Sequence, residues 1–261
     1  MINKTHSSSG KILHMAKSKP VLILQLRPED ATSDSEYRCF LKYAQLQAED
    51  TCRIRIETTG IPDNLDLEDY SAIIVGGSPF DISTPEDSKS IIQKKIEADF
   101  NRLLEQVVAT DFPFLGACSG NGLLGSYLGT SISTKYSEAV GCVALEITES
   151  GKQDMLLAGF PERIDVLLGH KEACDATPQG ATLLMSGSNC PVQMFRVGEN
   201  VYATQFHPEG DAEEFILRIN TYRNHGYFKP HEAEELKKDV SVKTTPYAQE
   251  ILRRFVKRYT S

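Results

Sequence analysis

The sequence predicts a single three-layer α/β domain with a mainly parallel central sheet, an antiparallel extension of that sheet and C-terminal helices. Three observations support this fold class. Apolar runs alternate with helical patterns in the first half, strand patterns follow one another across short connections in the second half, and amphipathic helical patterns close the chain. Alternating strands and helices are typical of a parallel sheet covered on both faces.

In the first half of the chain, predicted strands alternate with predicted helices. Four segments predict parallel strands: residues 21–26, 53–57, 72–75 and 112–116. The capping-box pattern of Ser33 and Glu36 predicts the start of one helix. Thr84 and Pro85 predict the start of a longer helix. The apolar face of that helix has the expected spacing: Ile92, Ile96, Phe100, Leu103 and Val107.

The second half predicts the antiparallel extension. Its strand patterns have little helix between them: residues 143–147, 164–168, 192–197 and 201–206. Glu199-Asn200 lies between the last two, where a hairpin turn is expected. Three helical patterns follow: residues 212–224, 230–238 and 246–258. We therefore divide the chain into three parts: residues 1–19, expected to be disordered, a domain over 20–228, and a helical extension over 229–261 packed on that domain.

Composition and charge argue against several classes of protein. The chain has 261 residues, 40% of them hydrophobic, and a net charge of -8. Nucleic acids and anionic membranes favour basic surfaces, so neither is an expected partner. The six cysteines form no CxxC pair, and neither a metal nor a cofactor is predicted. Residues 1–19 lack the apolar core of a secretory signal, so a cytoplasmic protein with reduced thiols is expected.

The most informative segment is Gly116-Ala117-Cys118-Ser119-Gly120, where an apolar strand pattern meets a short helix pattern at residues 119–128. Small residues two before and two after a nucleophile allow the sharp turn that lifts it clear of a sheet. A thiol at a helix N-terminus is also expected to ionise readily. The segment predicts Cys118 as a nucleophile, with the N–H of Ser119 facing an oxyanion. A buried structural cysteine in a glycine-rich turn is the alternative.

A second pattern, His207-Pro208-Glu209, ends the last strand pattern. Alternate residues of an extended chain point to the same side, so the imidazole and the carboxylate are expected to touch. An imidazole oriented by a carboxylate is the general base that a thiol nucleophile needs. A lone strand-end histidine is more often structural, and the combination with Cys118 is what indicates catalysis. Gly76-Gly77 after the third strand pattern is a weaker signal for a second oxyanion donor.

In their order, these motifs resemble those of the class I glutamine amidotransferases, and especially stand-alone proteins similar to the amidotransferase domain of GMP synthase. The resemblance covers about residues 20–228. It rests on five motifs: GGSP at 76–79, GACSG at 116–120, GHKE at 169–172, SGSNCP at 186–191 and QFHPE at 205–209. The resemblance implies a flavodoxin-like domain of the class I amidotransferase type.

The resemblance also implies a catalytic role for each motif. Cys118 would be the nucleophile, His207 its base and Glu209 the acid that orients the base. Gly77 and Ser119 would supply the oxyanion donors. The implied reaction is attack of the thiolate on the side-chain amide of glutamine, release of ammonia, and hydrolysis of the resulting thioester.

Other positions are implied to line the substrate pocket. Glu172 stands where the family often has an aspartate that holds the α-amino group of the substrate. Ser188 and Asn189 lie in the segment that matches the one running along the substrate backbone. The family usually has glutamine at the position of Gly122, where it lines the pocket. The glycine therefore leaves strict specificity for glutamine open.

Three functions remain open at this point. The first is a glutamine amidotransferase-type amidase. Because the sequence contains no nucleotide-binding P-loop, the acceptor of its ammonia would be a synthetase partner chain. The second is a γ-glutamyl peptidase or hydrolase with the same three residues, for which Gly122 would provide a roomier pocket. The third is a non-catalytic regulatory module. Release of ammonia from glutamine, compared with release of an amine from γ-glutamyl dipeptides, distinguishes them.

Overall fold

The computed structural model describes residues 19–260, so the disorder predicted for residues 1–19 falls, apart from Lys19, outside the described residues. The strands are β1 (Val21–Gln25), β2 (Thr51–Arg55), β3 (Ala72–Val75), β4 (Phe114–Ala117), β5 (Ile132–Ser133), β6 (Glu138–Ile147), β7 (Arg163–His170), β8 (Ala173–Cys174), β9 (Thr182–Ser186), β10 (Met194–Val197) and β11 (Val201–Thr204). The helices are α1 (Asp30–Ala44), α2 (Ile56–Thr59), α3 (Ile91–Thr110), α4 (Ser119–Tyr127), α5 (Glu149–Gln153), α6 (Ala212–Thr221), α7 (Ala233–Ser241) and α8 (Pro246–Thr260). Within residues 19–260, no helix has the length and apolar character needed to cross a membrane.

Nine strands form one sheet in the order β2-β1-β3-β4-β11-β10-β9-β6-β7. The first five of these pair in parallel. The pairs from β11 through β10, β9 and β6 to β7 are antiparallel, and β10 and β11 form the hairpin predicted around Glu199-Asn200. The predicted mainly parallel sheet with an antiparallel extension is therefore confirmed. β11 joins the two parts, and its carboxyl end lies beside that of β4.

Helices cover the parallel sheet on both faces, as the alternation of side chains requires. In β1, Val21 and Ile23 pack in the core that includes α1 and α8, whereas Leu22 and Leu24 pack in the core that includes α3. The buried residues of α8 in the first core are Ala248, Ile251, Leu252, Phe255 and Val256. α6 and α7 pack over Leu167 of the antiparallel extension. The C-terminal helices thus pack in two separate cores, α8 beside α1 and α6 with α7 over the antiparallel extension.

Two predicted helix starts were wrong. α1 begins at Asp30, so Ser33 and Glu36 lie inside the helix, and both are buried. Glu36 makes no capping contact, because its carboxylate pairs with Arg27 instead. α3 begins at Ile91, where the side chain of Ser90 accepts the N–H of Gln93 at 3.1 Å. The Thr84-Pro85 pattern precedes a 3₁₀ turn at Glu86–Ser88 rather than the long helix.

Candidate active site

Cys118 lies at the turn between β4 and α4, with φ 52° and ψ -95°. A positive φ is uncommon for a residue with a side chain, and here it turns the chain sharply from strand to helix. The turn brings Gly116 against Gly120, because a Cβ on Gly116 would come within 2.7 Å of the Gly120 carbonyl carbon. The Cys118 N–H donates to the carbonyl of Thr204 at 2.8 Å, which fastens the turn to β11. The elbow expected from the glycine spacing is therefore present.

His207 and Glu209 follow β11 and are both buried. The distance from His207 Nδ1 to Glu209 Oε1 is 2.7 Å. A carboxylate accepts hydrogen bonds, so Nδ1 carries the proton and Nε2 keeps its lone pair. Burial, together with the positive charge of Arg218, lowers the pKa of His207 to about 4, although Glu209 acts in the opposite direction. The imidazole is thus neutral at neutral pH and can accept a proton.

The thiol of Cys118 is less acidic than a helix N-terminus suggests. Burial raises its pKa to about 11, although Arg27 and Arg218 act to lower it. The expectation of a readily ionised thiol was therefore wrong for the resting protein. The thiol and the imidazole of His207 both begin neutral and line the same cleft. A thiolate forms when a base accepts the thiol proton, as in a serine–histidine pair.

Buried charges surround the imidazole, and the sequence motifs pointed to only one of them, Glu209. Arg218 of α6 donates to Glu209 Oε1 at 2.9 Å and to Glu36 Oε1 at 3.3 Å, and it contacts Glu214. Arg27 donates from Nε to Glu36 Oε1 at 2.8 Å. All five side chains are buried. The two arginines compensate carboxylates that would otherwise be strongly unfavourable in the interior.

Glu214 is the member of this charge cluster that holds a proton. Burial raises its pKa from 4.5 to about 8, despite the opposing effect of Arg218. Between these values the folded protein retains a proton that the unfolded glutamate has lost, so the stability contributed by this group falls as pH rises. We expect Glu214→Gln to remove this decrease of stability with rising pH. Thermal unfolding between pH 5 and pH 8 should show the variant gaining stability relative to the wild type as pH rises.

Glu213→Gln provides the control, because Glu213 is the neighbouring glutamate and is exposed. Its stability should stay parallel to that of the wild type over the same range. A constant difference between the wild type and the Glu214→Gln variant across this range would contradict a protonated Glu214.

Two clefts open beside Cys118, and they share Ser78, Cys118 and Tyr227. The first, which we call the Glu172 cleft, measures about 320 Å³ with its open solvent included. Most of the side chains that further line it are polar, and its lining includes Ser119, Gly122, His170, Lys171, Glu172 and Gln205. The second, which we call the Arg27 cleft, measures about 390 Å³ with its open solvent included. Its further lining includes Arg27, Val140, His207, Phe215, Tyr222 and Phe228.

Glu172 is held firmly in the first cleft. Its two carboxylate oxygens accept the backbone N–H groups of Ile82 and Ser83, each at 2.7 Å. Its carbonyl oxygen lies 3.0 Å from His170 Nδ1, and His170 Nε2 lies 3.0 Å from Glu138 Oε2. Burial raises the pKa of Glu172, although the N–H donors act to lower it. The cleft therefore presents a fixed acidic group that can pair with a cation.

Two groups of side chains have the composition of a metal site: Glu138 with His170 and Cys190, and Glu36 with His207 and Glu209. In the first group, both nitrogens of His170 already make hydrogen bonds. In the second group, the Nδ1 of His207 is bonded to Glu209, and Arg218 already pairs with both carboxylates. Neither group offers the open set of donors that a resident metal requires.

Comparison with known proteins identifies the family. The family model for glutamine amidotransferase class-I matches residues 39–221. The chain belongs to the class-I glutamine amidotransferase family. The resemblance found in the sequence motifs is therefore confirmed, and the glycine-flanked cysteine and the His-Pro-Glu segment lie inside the matched region.

Relatives of this chain include both short proteins and much larger ones. A glutamine-hydrolysing GMP synthase subunit of Sulfurisphaera tokodaii is 28% identical over 144 residues, which cover 55% of this chain and 69% of that protein. The GMP synthase of Streptomyces avermitilis is 26% identical over 174 residues, 64% of this chain and 30% of that protein. The matched part of the chain thus corresponds to less than a third of that relative's length. A glutamine amidotransferase of Thermotoga maritima, 21% identical, has a TM-score of 0.72 over 92% of this chain and 98% of that chain, which shows a common fold.

The family resemblance implies two oxyanion donors, the backbone N–H groups of Gly77 and Ser119, and within residues 19–260 only one of them is already hydrogen-bonded. The Gly77 N–H donates to Glu36 Oε1 at 3.1 Å, so it is already engaged. Ser119 is the first residue of α4, where an N–H has no partner within the helix. Ser119 also lines the Glu172 cleft beside Cys118. In this conformation, the N–H of Ser119 is thus the better placed of the two donors.

Ser188 and Asn189 lie apart from the other site residues that the family resemblance implies. Both are exposed, on a turn in which the Gly187 N–H donates to the Cys190 carbonyl at 2.9 Å. Neither residue lines either cleft. The turn buries Cys190 and directs the two polar residues away from the core. The structure therefore gives no support to substrate contacts from their side chains.

Gly122 lies in the Glu172 cleft, and Ile82 occupies the space beside it. A Cβ on Gly122 would come within 2.9 Å of Ile82 Cδ1 and 3.9 Å of Glu172 Oε1. We expect Gly122→Gln alone to lower activity on every substrate, because Ile82 must move. With Ile82→Ala added to Gly122→Gln, we expect activity to recover and substrate preference to shift toward free glutamine. New amide hydrogen bonds would be worth about 1 kcal/mol, which is several-fold in affinity.

The measurement is kcat/KM for glutamine and for a γ-glutamyl dipeptide in the wild type, both single variants and the double variant. Ile82→Ala alone is the control for the added space. An unchanged ratio of the two substrates in all four proteins would show that position 122 does not contact the substrate.

Proposed function

We propose that this protein is a cysteine amidase that hydrolyses the side-chain amide of glutamine, or a γ-glutamyl amide of the same form, through a thioester on Cys118. One observation carries the proposal. A thiol on a strained elbow and a neutral imidazole held by a carboxylate line the same cleft. This is the arrangement that nucleophilic catalysis by cysteine requires. Membership of the glutamine amidotransferase family supports the choice of amide.

In the proposed reaction, the glutamyl part of the substrate occupies the Glu172 cleft, with its α-ammonium group against the Glu172 carboxylate. His207 Nε2 accepts the thiol proton, and the sulfur of Cys118 attacks the γ-carbonyl carbon. The Ser119 N–H stabilises the resulting oxyanion. As the carbon–nitrogen bond breaks, His207 returns the proton to the departing nitrogen, so ammonia or an amine leaves as a neutral molecule.

The second half of the reaction regenerates the enzyme. Water gives a proton to His207 and adds to the thioester carbonyl, and the carbon–sulfur bond then breaks. The proton returns to the sulfur of Cys118, and glutamate or a glutamyl acid is released. Glu209 keeps the imidazole in the tautomer that both halves need. Transfer of the ammonia to an acceptor would in addition require a synthetase partner chain.

A γ-glutamyl peptidase is the second candidate, and the Arg27 cleft is the observation that favours it. The leaving group of glutamine is ammonia, which needs no more space than a water molecule. The Arg27 cleft adjoins both Cys118 and His207, so an amine larger than ammonia would leave toward its mostly apolar wall. The same three residues would perform both reactions.

Product release from two substrates tests the proposal. We expect the purified protein to release ammonia from glutamine or an amine from γ-glutamyl dipeptides, and Cys118→Ala to release neither. Wild-type protein that hydrolyses neither substrate would contradict the proposal and would favour a regulatory module without catalysis.

A further inference from the structure

We propose that the Arg27 cleft binds the leaving group, and that this group is an amino acid with an apolar side chain whose α-carboxylate pairs with Arg27. This inference rests on the proposed function and names its substrate. The preferred substrates would be γ-glutamyl dipeptides with an apolar or aromatic second residue, rather than free glutamine.

The guanidinium of Arg27 lies beside the reacting groups. A Cβ added to Gly77 would overlap Arg27 Nη2 and would come within 2.7 Å of His207 Cε1, so these two atoms adjoin the same glycine. Arg27 and His207 also line one cleft together with Cys118. A group leaving from a carbonyl attached to Cys118 would therefore enter the cleft next to this cation.

Arg27 has a donor that the protein does not use. Its Nε donates to Glu36 at 2.8 Å, and its Nη1 donates to the hydroxyl of Tyr222 at 3.3 Å. Nη2 makes no hydrogen bond to any of the described residues, 19–260. Buried guanidinium donors are normally satisfied, and the planar guanidinium matches the geometry of a carboxylate or a phosphate. The unused donor in the cleft wall is therefore suited to an anionic part of a ligand.

The remaining wall of the cleft is mostly apolar or aromatic, although Ser78, His207 and Arg218 also line it. Val140, Phe215, Tyr222, Tyr227 and Phe228 contribute to it. The Glu172 cleft also adjoins Cys118, and most of the side chains that line it are polar, including an acidic group. The two clefts thus match the two halves of one molecule: a glutamyl half with an ammonium group, and an apolar half with a carboxylate. The bond that breaks lies between these halves, at the shared residue Cys118.

Four substrates test this assignment: γ-glutamyl-phenylalanine, γ-glutamyl-phenylalanine amide, which lacks the α-carboxylate, γ-glutamyl-glycine and glutamine. For the wild type, we expect kcat/KM for the acid to exceed that for its amide by about tenfold to a hundredfold, the usual range for a hydrogen bond to a charged group. Glutamine should be a poorer substrate than the acid. γ-Glutamyl-glycine, which has the carboxylate without the aromatic ring, should lie below the phenylalanine dipeptide.

Arg27→Gln should reduce the ratio of acid to amide to about one. The ratio is the readout, because the loss of a cation near Cys118 lowers the rate for both substrates alike. Lys171→Gln is the matched control: it removes a cation from the wall of the other cleft, so the preference for the acid should remain.

The outcomes separate this inference from the proposed function. Three results would contradict the inference without contradicting the proposed amidase activity. They are equal rates for the acid and the amide in the wild type, a preference for glutamine over both, and an acid-to-amide ratio that persists in Arg27→Gln. If the protein hydrolyses none of the substrates, the proposed amidase activity itself is contradicted. If the Arg27→Gln variant does not fold, the ratio of kcat/KM for the acid to that for the amide in the wild type still tests the inference.

Discussion

Alanine at Cys118 or at His207 abolishes hydrolysis, with kcat expected to fall by at least about 10⁴-fold, whereas Glu209→Ala leaves a measurable remnant. The nucleophile and the base act as one unit, so loss of either removes the covalent pathway. Glu209 acts through His207, to which it is hydrogen-bonded at 2.7 Å. Without Glu209 the imidazole still accepts a proton, but in a less favourable tautomer and orientation.

Single-turnover and steady-state release of product from the three variants provide the measurement, with circular dichroism to confirm folding. Cys52→Ala is the matched control, because Cys52 lies in β2 and lines neither cleft. It should retain the activity of the wild type. Retention of activity by the Cys118 variant would place the chemistry at another site.

The second large effect concerns stability. Arg218→Met removes the cation shared by Glu36 and Glu209, whose carboxylates are fully buried. Breaking a buried ion pair by removing one partner typically destabilises a protein by about 3–5 kcal/mol, because an uncompensated charge stays in the interior. We expect a loss of that size in the free energy of unfolding, measured by urea titration. Catalysis should fall as well, since Arg218 holds Glu209 against His207.

Arg253→Met is the control for the charge change, since Arg253 pairs with Glu250 at the surface of α8. Solvent-exposed ion pairs contribute little to stability, so its urea midpoint should match that of the wild type. An equally small effect for Arg218→Met would mean that the charge cluster is not needed to hold the site.

The parts of the site that the sequence predicted are the local ones. Gly116 and Gly120 flank Cys118 within five residues, and the reason for the glycines, close contact across a turn, is a property of that short segment. His207 and Glu209 are likewise two residues apart on extended chain. Packing elsewhere in the protein has little influence on either motif, so the pattern alone was enough.

The charge cluster was missed because its members lie far apart in sequence. Glu36 and Arg218 are separated by 182 positions, and no local pattern brings them together. Glu36 also stands three residues after Ser33, which predicted a helix cap. The carboxylate instead serves the interior, as its four hydrogen bonds with Gln25, Arg27, Gly77 and Arg218 show. One signal was available: Glu214 and Arg218 share a helix of ten residues with buried Phe215 and Ile219.

The exposure of Ser188 and Asn189 could not be foreseen for a different reason. Their motif fixes the order of residues, while the direction of their side chains depends on how the turn from 187 to 190 lies against the sheet. The short strand β9 just before it was also not predicted, because residues 182–186 lack the clear alternation of the other strands. Its pairing with β10 and β6 sets the position of that turn.

The backbone of Cys118 has a consequence for how this protein can be improved by selection. Its positive φ is maintained against a penalty on the order of 1–3 kcal/mol, and glycine would relieve much of that strain. A library screened for heat resistance alone would therefore enrich glycine at position 118 and lose the nucleophile. The melting temperature of the selected variants would rise all the same. Stability and catalysis compete at this single residue, so any directed evolution of the chain has to score turnover in the same round as melting temperature.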